Sequence, residues 1–499
     1  MPLVSTTMCP STVHRLPSTV IRLPSTVILL FAFFALYSNL LSGQTATISE
    51  PLTIRNDYGY ELIGRMRDRI LLFRDKFTQF EVQAYDNQMQ LSWSRELDDL
   101  DRRGIQIVAV IPGRNDFTVV HKLRRRGFNF LRIHKYDPGA NLIDSMTVKA
   151  YGERIFTPPS LDIIQSDDRN CIVVYNLAEK EKIELTCFRL DKMQVLWDKV
   201  IGLDPSDRFE PEPHQMVVSN AGDFYYITEK NNRRSKSENH FFHVLHINAA
   251  GDDITTIPLK EYLTLDSKFA LDNLNKRLTG VGLWGEKSRN RANGTFFVSQ
   301  NLDNKSIQTI HYEAFDEKFL SVLRQRDVDD NAKGVTDSEL KQLVLRQDGG
   351  ALVIAERNHE IQRGSAAGRG FLRDGMRVIV DYYYDDMYAI AFSPDGKPQW
   401  KTALHKKQYS QDDDGTFSSY FLVKNAEHLR FLFNDEIKYE NTCSEYVLSP
   451  VGEFDRNGIL NTQNQGLRMR FRDALQLNGS ECLVPSEFRN KLRLVLLRF

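Results

Sequence analysis

One pattern recurs through the chain from about residue 55 onward: a short polar turn followed by five or six apolar and β-branched residues. It reads RDRILLFRD (67–75), NDFTVVHKL (115–123), RNCIVVYNL (169–177), GDFYYITEK (222–230), GTFFVSQNL (294–302), GGALVIAER (349–357), EHLRFLFND (427–435) and GSECLVPSE (479–487). Most members lie about 50 residues apart, a period at which each repeat holds one supersecondary unit that must bury its apolar face against a neighbour. Behind each signal comes a second strand, and behind seven of them a turn leading to a third. The turns are at 85–93, 136–144, 190–197, 247–254, 315–322, 392–400 and 448–455. Asp, Pro and Gly collect at their apices because tight hairpins need a preset or positive φ there. A further strand upstream, such as IQIVAVI (105–111), brings the count to about four antiparallel strands per repeat, the content of a propeller blade.

The predicted fold is therefore all-β: an eight-bladed β-propeller, with seven blades as the alternative if one divergent repeat is an insertion. The eighth repeat stops without its last strand. ATISEPLTI (46–54) is expected to supply that strand, so that pairing of the two ends closes the ring and removes an exposed edge.

The first 43 residues are set apart from this pattern. Arg15 and Arg22 precede an apolar run from Val27 to Leu36, and Ser42 and Gly43 follow it, with no acidic residue before Gly43. Positive, apolar, then small is the order of a secretory signal peptide, and the run is shorter than the roughly 20 residues a spanning helix needs. Cleavage is expected after Gly43, with Ala46 as second choice and an uncleaved anchor as the alternative. The mature propeller (46–499) is then periplasmic or secreted, with no membrane span. The PSTV units of this stretch recur every seventh residue, but a proline in each forbids a continuous helix.

Charge excludes one class of partner. Lysine and arginine total 65 against 66 acidic residues, interspersed along the chain, so nothing favours nucleic acid. Cys171, Cys187, Cys443 and Cys482 form no CxxC motif, which leaves buried small hydrophobes or a disulfide as their readings.

The turns that end in tryptophan, DKMQVLW (191–197) and SPDGKPQW (393–400), resemble the repeats of quinoprotein-like and WD40-like propellers of exported bacterial proteins. The likeness extends over residues 50–499 and implies architecture, with no activity attached.

No complete catalytic constellation or cofactor site is found, and no metal site is expected. SPDGKPQW lacks the glycine of a sialidase-type Asp box, holding Lys397 there. No Cys-Cys pair of the quinone-dependent dehydrogenase kind occurs. His240, His243 and His246 are spread along a strand, too far apart to share an ion. DVDDNAKGVTDSE (327–339) lacks the glycine and glutamate of a calcium loop.

Loop length is more informative. The long segments 202–213, 229–240, 325–339, 356–386 and 405–416 are all connections that open on one face of a propeller. The richest candidate binding residues are Arg363, Arg369, Arg373, Tyr382, Tyr383, Tyr384, Asp385, Asp386, His405 and Tyr409, types favoured at recognition hot spots. The expected function is a non-enzymatic exported propeller binding a protein or glycan partner on that face. A glycan hydrolase or lyase with channel carboxylates and an envelope-assembly scaffold are the alternatives; the lack of a lipid-anchor cysteine weighs against the scaffold.

Overall fold

A computed structural model describes residues 44–499 except 154–157, 179–181, 203–214, 233–238, 287–289, 326–333, 365–377, 436, 438–441 and 463–464. The chain divides into two units, of which the second, Ala46–Arg498, is compact. Among the described residues, no helix is long and apolar enough to cross a membrane.

The second unit is an eight-bladed β-propeller of four-stranded antiparallel blades. Blade one is Asp57–Met66, Arg69–Lys76, Phe80–Tyr85 and Leu91–Glu96, paired in chain order. The first strands of the next six begin at Ile105, Leu161, Gln215, Leu263, Ser338 and Phe421. Blade eight takes Leu475–Asn478, Glu481–Phe488 and Lys491–Arg498 from the end of the chain and Thr45–Ile48 from the beginning. The expected closure is thus present. Ser49 N–H donates to the Leu494 carbonyl at 2.9 Å, the Leu494 N–H returns a bond to Ser49 Oγ, and Leu52 and Thr53 pair with Leu492 and Lys491.

Alternation along the strands sends successive side chains to the two neighbouring blades. Ile70 and Leu72 of blade one meet Leu483, Leu494 and Leu496 of blade eight. Leu71, Phe73, Phe80 and Val82 face blade two's Phe117, Val119 and Tyr136. The core is therefore a series of interblade layers, a sum of nearest-neighbour interfaces.

The fifth repeat departs from the sequence reading. GTFFVSQNL is the third strand of its blade, Gly294–Asn301; the second is Arg277–Gly285. Its glycines mask it, since Gly weakens a strand by propensity. Here aromatic rings occupy the missing side chains: a Cβ on Gly280 would lie 2.4 Å from the ring of its cross-strand partner Phe269, and one on Gly282 2.1 Å from Phe296. The expected turn at 315–322 is also corrected: it opens the helix Glu317–Arg324, capped by Asp316 accepting from Phe319 N–H at 2.8 Å. Phe319, Leu320 and Leu323 bury themselves between blades five and six.

SPDGKPQW is a tight hairpin turn, and its Trp400 Nε1 donates to the Pro450 carbonyl of blade seven at 2.9 Å. The four body cysteines are free thiols, all buried.

Blade two carries an acid-sensitive pair. His121 and His134 stand on the face turned to blade one, ring centroids 4.7 Å apart at 85°, and neither is exposed by more than 3%. Burial first, then the neighbouring imidazole of His134 and the Arg132 guanidinium, pushes His121 down to about 3; burial and then Arg132 push His134 down to about 4, with Asp99 partly opposing. Both are neutral when folded. Their contribution is present above about pH 6.5, where the unfolded imidazoles are neutral too, and is lost as pH falls through that value, at about 1.4 kcal/mol per proton per pH unit. His246 works in the opposite sense, raised by Asp223 and Asp253. Denaturant unfolding of wild type and His121→Leu at pH 7.5 and 5.0 isolates the pair: the variant is expected to lose less stability on acidification. Equal losses would contradict this assignment.

Candidate binding surface on blade six

The second and third strands of blade six, Ala351–Gly364 and Val378–Phe392, are far longer than their counterparts elsewhere. Within the blade, Leu352 and Ile354 face blade seven while Val353 and Ala355 face blade five. The register breaks between Glu356 opposite Met387 and Asn358 opposite Tyr384, which sets Arg357 against Asp385 and Asp386. Beyond this break the strands continue as an arm on the long-loop side. A third strand, Gln408–Gln411, joins it, pairing Tyr384 with Gln408, Tyr383 with Tyr409, Tyr382 with Ser410 and Asp381 with Gln411. This strand is too short and polar to stand out in the sequence.

Alternation gives the arm two faces. One is closed by the segment that follows it. Tyr382 O–H donates to Asp414 Oδ1 at 3.0 Å, Ser410 Oγ donates to Asp413 at 2.7 Å, and Gly415 (φ +61°) sits against the Tyr384 ring where a Cβ would come within 2.9 Å. The Arg472 guanidinium lies 4.7 Å over the same ring. Tyr382 and Tyr384 are consequently buried.

The other face carries His359, Tyr383 and Tyr409 across three strands. His359 and Tyr383 stack at 4.6 Å and 7°, and Tyr383 meets Tyr409 at 5.2 Å. Next to them Asp381 accepts from Tyr409 O–H (2.9 Å), Arg363 Nη2 (2.6 Å) and Gln411 Nε2 (3.3 Å). The hydrogen bond from Arg363 is the main cause holding the Asp381 carboxyl below its usual range. Tyr383 is stacked on His359 and tilted 44° against Tyr409, whose hydroxyl is spent on the buried Asp381, so that this bond holds the outermost ring in place.

The arm is rooted in a buried charge network whose centre, Lys406 with Glu356, sequence reasoning missed. Lys406 Nζ meets Glu356 Oε1 at 2.7 Å, the Tyr384 carbonyl at 3.0 Å and Gln408 Oε1 at 2.9 Å. Ser419 Oγ donates to Glu356 Oε2 at 2.7 Å, and Gln408 Nε2 donates to the Asn434 carbonyl of blade seven at 2.7 Å. Lys341 lies 2.5 Å from Glu339 and 3.9 Å from Glu356. Burial draws the Lys406 ammonium below its ordinary range, with Glu356 opposing. Asp386 is held by His405 Nδ1 at 3.1 Å and by Arg357 at 3.6 Å, while burial pushes the Asp385 carboxyl up. The pattern cue available was a lone Glu in an otherwise apolar run, LVIAE, facing a Lys in HKKQ.

Of the sequence-derived candidates, then, Arg363, Tyr383 and Tyr409 share the open face; Tyr382 and Tyr384 belong to the covered one; Asp385, Asp386 and His405 sit at the root. Arg369 and Arg373 lie outside the described residues.

No known protein family and no curated protein matches the chain. Similar solved structures include Sqt1 of Saccharomyces cerevisiae (9% identity, 90% of this chain and 99% of that one, TM-score 0.42). They also include a europium-containing methanol dehydrogenase (10%, 91% and 93%, 0.39) and the polysaccharide lyase Uly1 (7%, 78% and 89%, 0.37). Likenesses this distant carry no inference about activity.

Proposed function

We propose that this chain is an exported, non-enzymatic propeller that binds a protein partner through the open face of the blade-six arm. The observation that carries the reading is the His359–Tyr383–Tyr409 comb locked beside Asp381. Tyrosine, histidine and arginine pre-organised on a projecting sheet form a hot-spot arrangement that loses little entropy on binding. A glycan fits this face less well, because Tyr409 O–H and the Arg363 guanidinium, the groups that would meet sugar hydroxyls, are already engaged by Asp381. Catalysis at the root is disfavoured on similar grounds: Glu356 is fully buried and engaged by Lys406 and Ser419. A channel cavity between the inner strands of blades three to six is walled by Ile164, Met216, Val217, Ala270, Leu343 and Leu345, with Asp167 and Asp272 at its polar part; Asp272 is held there by Asn275 N–H and Nδ2, each at 2.8 Å.

The tagged mature protein is the probe. Tyr383→Ala/Tyr409→Ala is expected to lower recovery of its protein partner from the native host at least tenfold, since two hot-spot aromatics together contribute more than about 1.4 kcal/mol. Val451→Asp, on a third-to-fourth-strand turn of the opposite face, is expected to leave recovery unchanged. An identical set of captured proteins from the double variant would reject the assignment. Export is checked by N-terminal sequencing of the processed chain, expected to begin after Gly43.

A further inference from the structure

A second site lies at the seam where blades eight and one close the ring. A cavity of about 560 Å³ opens there, within the size range of small-ligand pockets. Tyr58, Tyr60 and Glu61, from the first strand of blade one, line it together with Arg470, Asp473 and Glu487 of the blade-eight side. Like the arm, it belongs to the long-loop end, where first strands begin and second strands finish.

Two features point to an occupant. Tyr58 is 69% exposed and Phe77 beside it 50%, their centroids 4.4 Å apart, with the Arg102 guanidinium 4.7 Å from the Tyr58 ring. Of the two, Tyr58 lines this cavity and Phe77 a neighbouring one, and a large aromatic left this open at a cavity mouth is a ligand-facing feature. The charges around the cavity are also unbalanced. Arg470 contacts both Asp473 and Glu487, and Asp57 is taken by Arg74 at 2.7 Å. One guanidinium thus serves Asp473 and Glu487, and Glu61 adds a further carboxylate. The walls crowd Glu61 although solvent reaches it, and that crowding, then the Asp473 charge, pushes its carboxyl up. A cation placed between them would relieve the repulsion.

We propose that this seam binds an amine-bearing sugar, its ring against Tyr58 and its ammonium between Glu61 and Asp473. The cavity and its aromatic wall make the site; the carboxylates select the charge. A pyranose offers an apolar face to Tyr58, Leu62 and Leu475 and a hydroxyl rim to the polar remainder of the lining, whereas a lysine stem would leave that remainder unmatched. The site is independent of the blade-six arm.

Calorimetric titration at pH 6 and low salt tests it with four probes: glucosamine, N-acetylglucosamine, glucose and Nα-acetyl-lysine methylamide. Glucosamine is expected to bind at least tenfold more tightly than the other three. Glu61→Gln and Asp473→Asn are each expected to weaken it tenfold or more, Tyr58→Ala to abolish it, and Tyr383→Ala/Tyr409→Ala to leave it unchanged. Equal binding of the lysine derivative would make the site one for basic peptides, and equal binding of the neutral sugars would remove the role of the carboxylates. Either result overturns the proposal, as does no binding of any probe to the folded wild type.

Discussion

Removal of residues 46–53 is expected to destroy the monomeric propeller. Without them the strand Lys491–Arg498 loses its outer neighbour, and its backbone becomes a bare eight-residue edge. Leu492, Leu494 and Leu496 remain packed on blade one, but the bonds that seal the ring, Ser49 with Leu494 and Arg498 with Thr47 at 3.0 Å, are gone. Blade eight is then joined to blade one mainly by side chains, the leucine layer and the Arg65–Glu481 pair at 2.9 Å, with no strand pairing between the two ends of the chain. The shortened chain should elute as aggregate in size-exclusion chromatography and lose its cooperative thermal transition. Ser49→Ala, which removes one hydroxyl, should cost only about 1 kcal/mol. A shortened chain that stays monomeric and melts like wild type would show that closure does not stabilise the fold.

The second large effect is at the arm root. Lys406→Met leaves the fully buried Glu356 facing Ser419 and the more distant Lys341, and breaking a buried pair from one side costs about 3–5 kcal/mol. Lys406→Met combined with Glu356→Gln removes both charges together and should recover most of that loss in urea unfolding. If Lys406→Met unfolds at the wild-type midpoint, the pair contributes nothing and the arm is held by its backbone pairing alone.

How far the sequence led differs from blade to blade. Where each strand alternates and each turn carries Asp or Gly, as in SPDGKPQW, the hydrophobic period identified both the blade and the face on which its loops open. Blade five was read out of phase because Gly280 and Gly282 remove the side chains that periodicity counts; their places are filled by Phe269 and Phe296 from adjacent strands. Ring closure was legible because a repeat lacking one strand at its end and a spare strand at the start imply each other. At the candidate site the residue types were visible but not their sides. Tyr382, Tyr383 and Tyr384 are equivalent in a string, and only the pairing of Gln408–Gln411 separates the covered tyrosines from the open one. The seam cavity was hidden for a different reason: Tyr58 and Asp473 are more than four hundred positions apart and meet only because the ring closes.

The most direct test of the binding surface is site-specific photo-crosslinking in the native host, with a photoreactive phenylalanine replacing Tyr383 in one protein and Val451 in another. A protein adduct from position 383, absent from position 451, is the predicted result. Adducts from position 451 alone would place the partner on the opposite face and contradict the account.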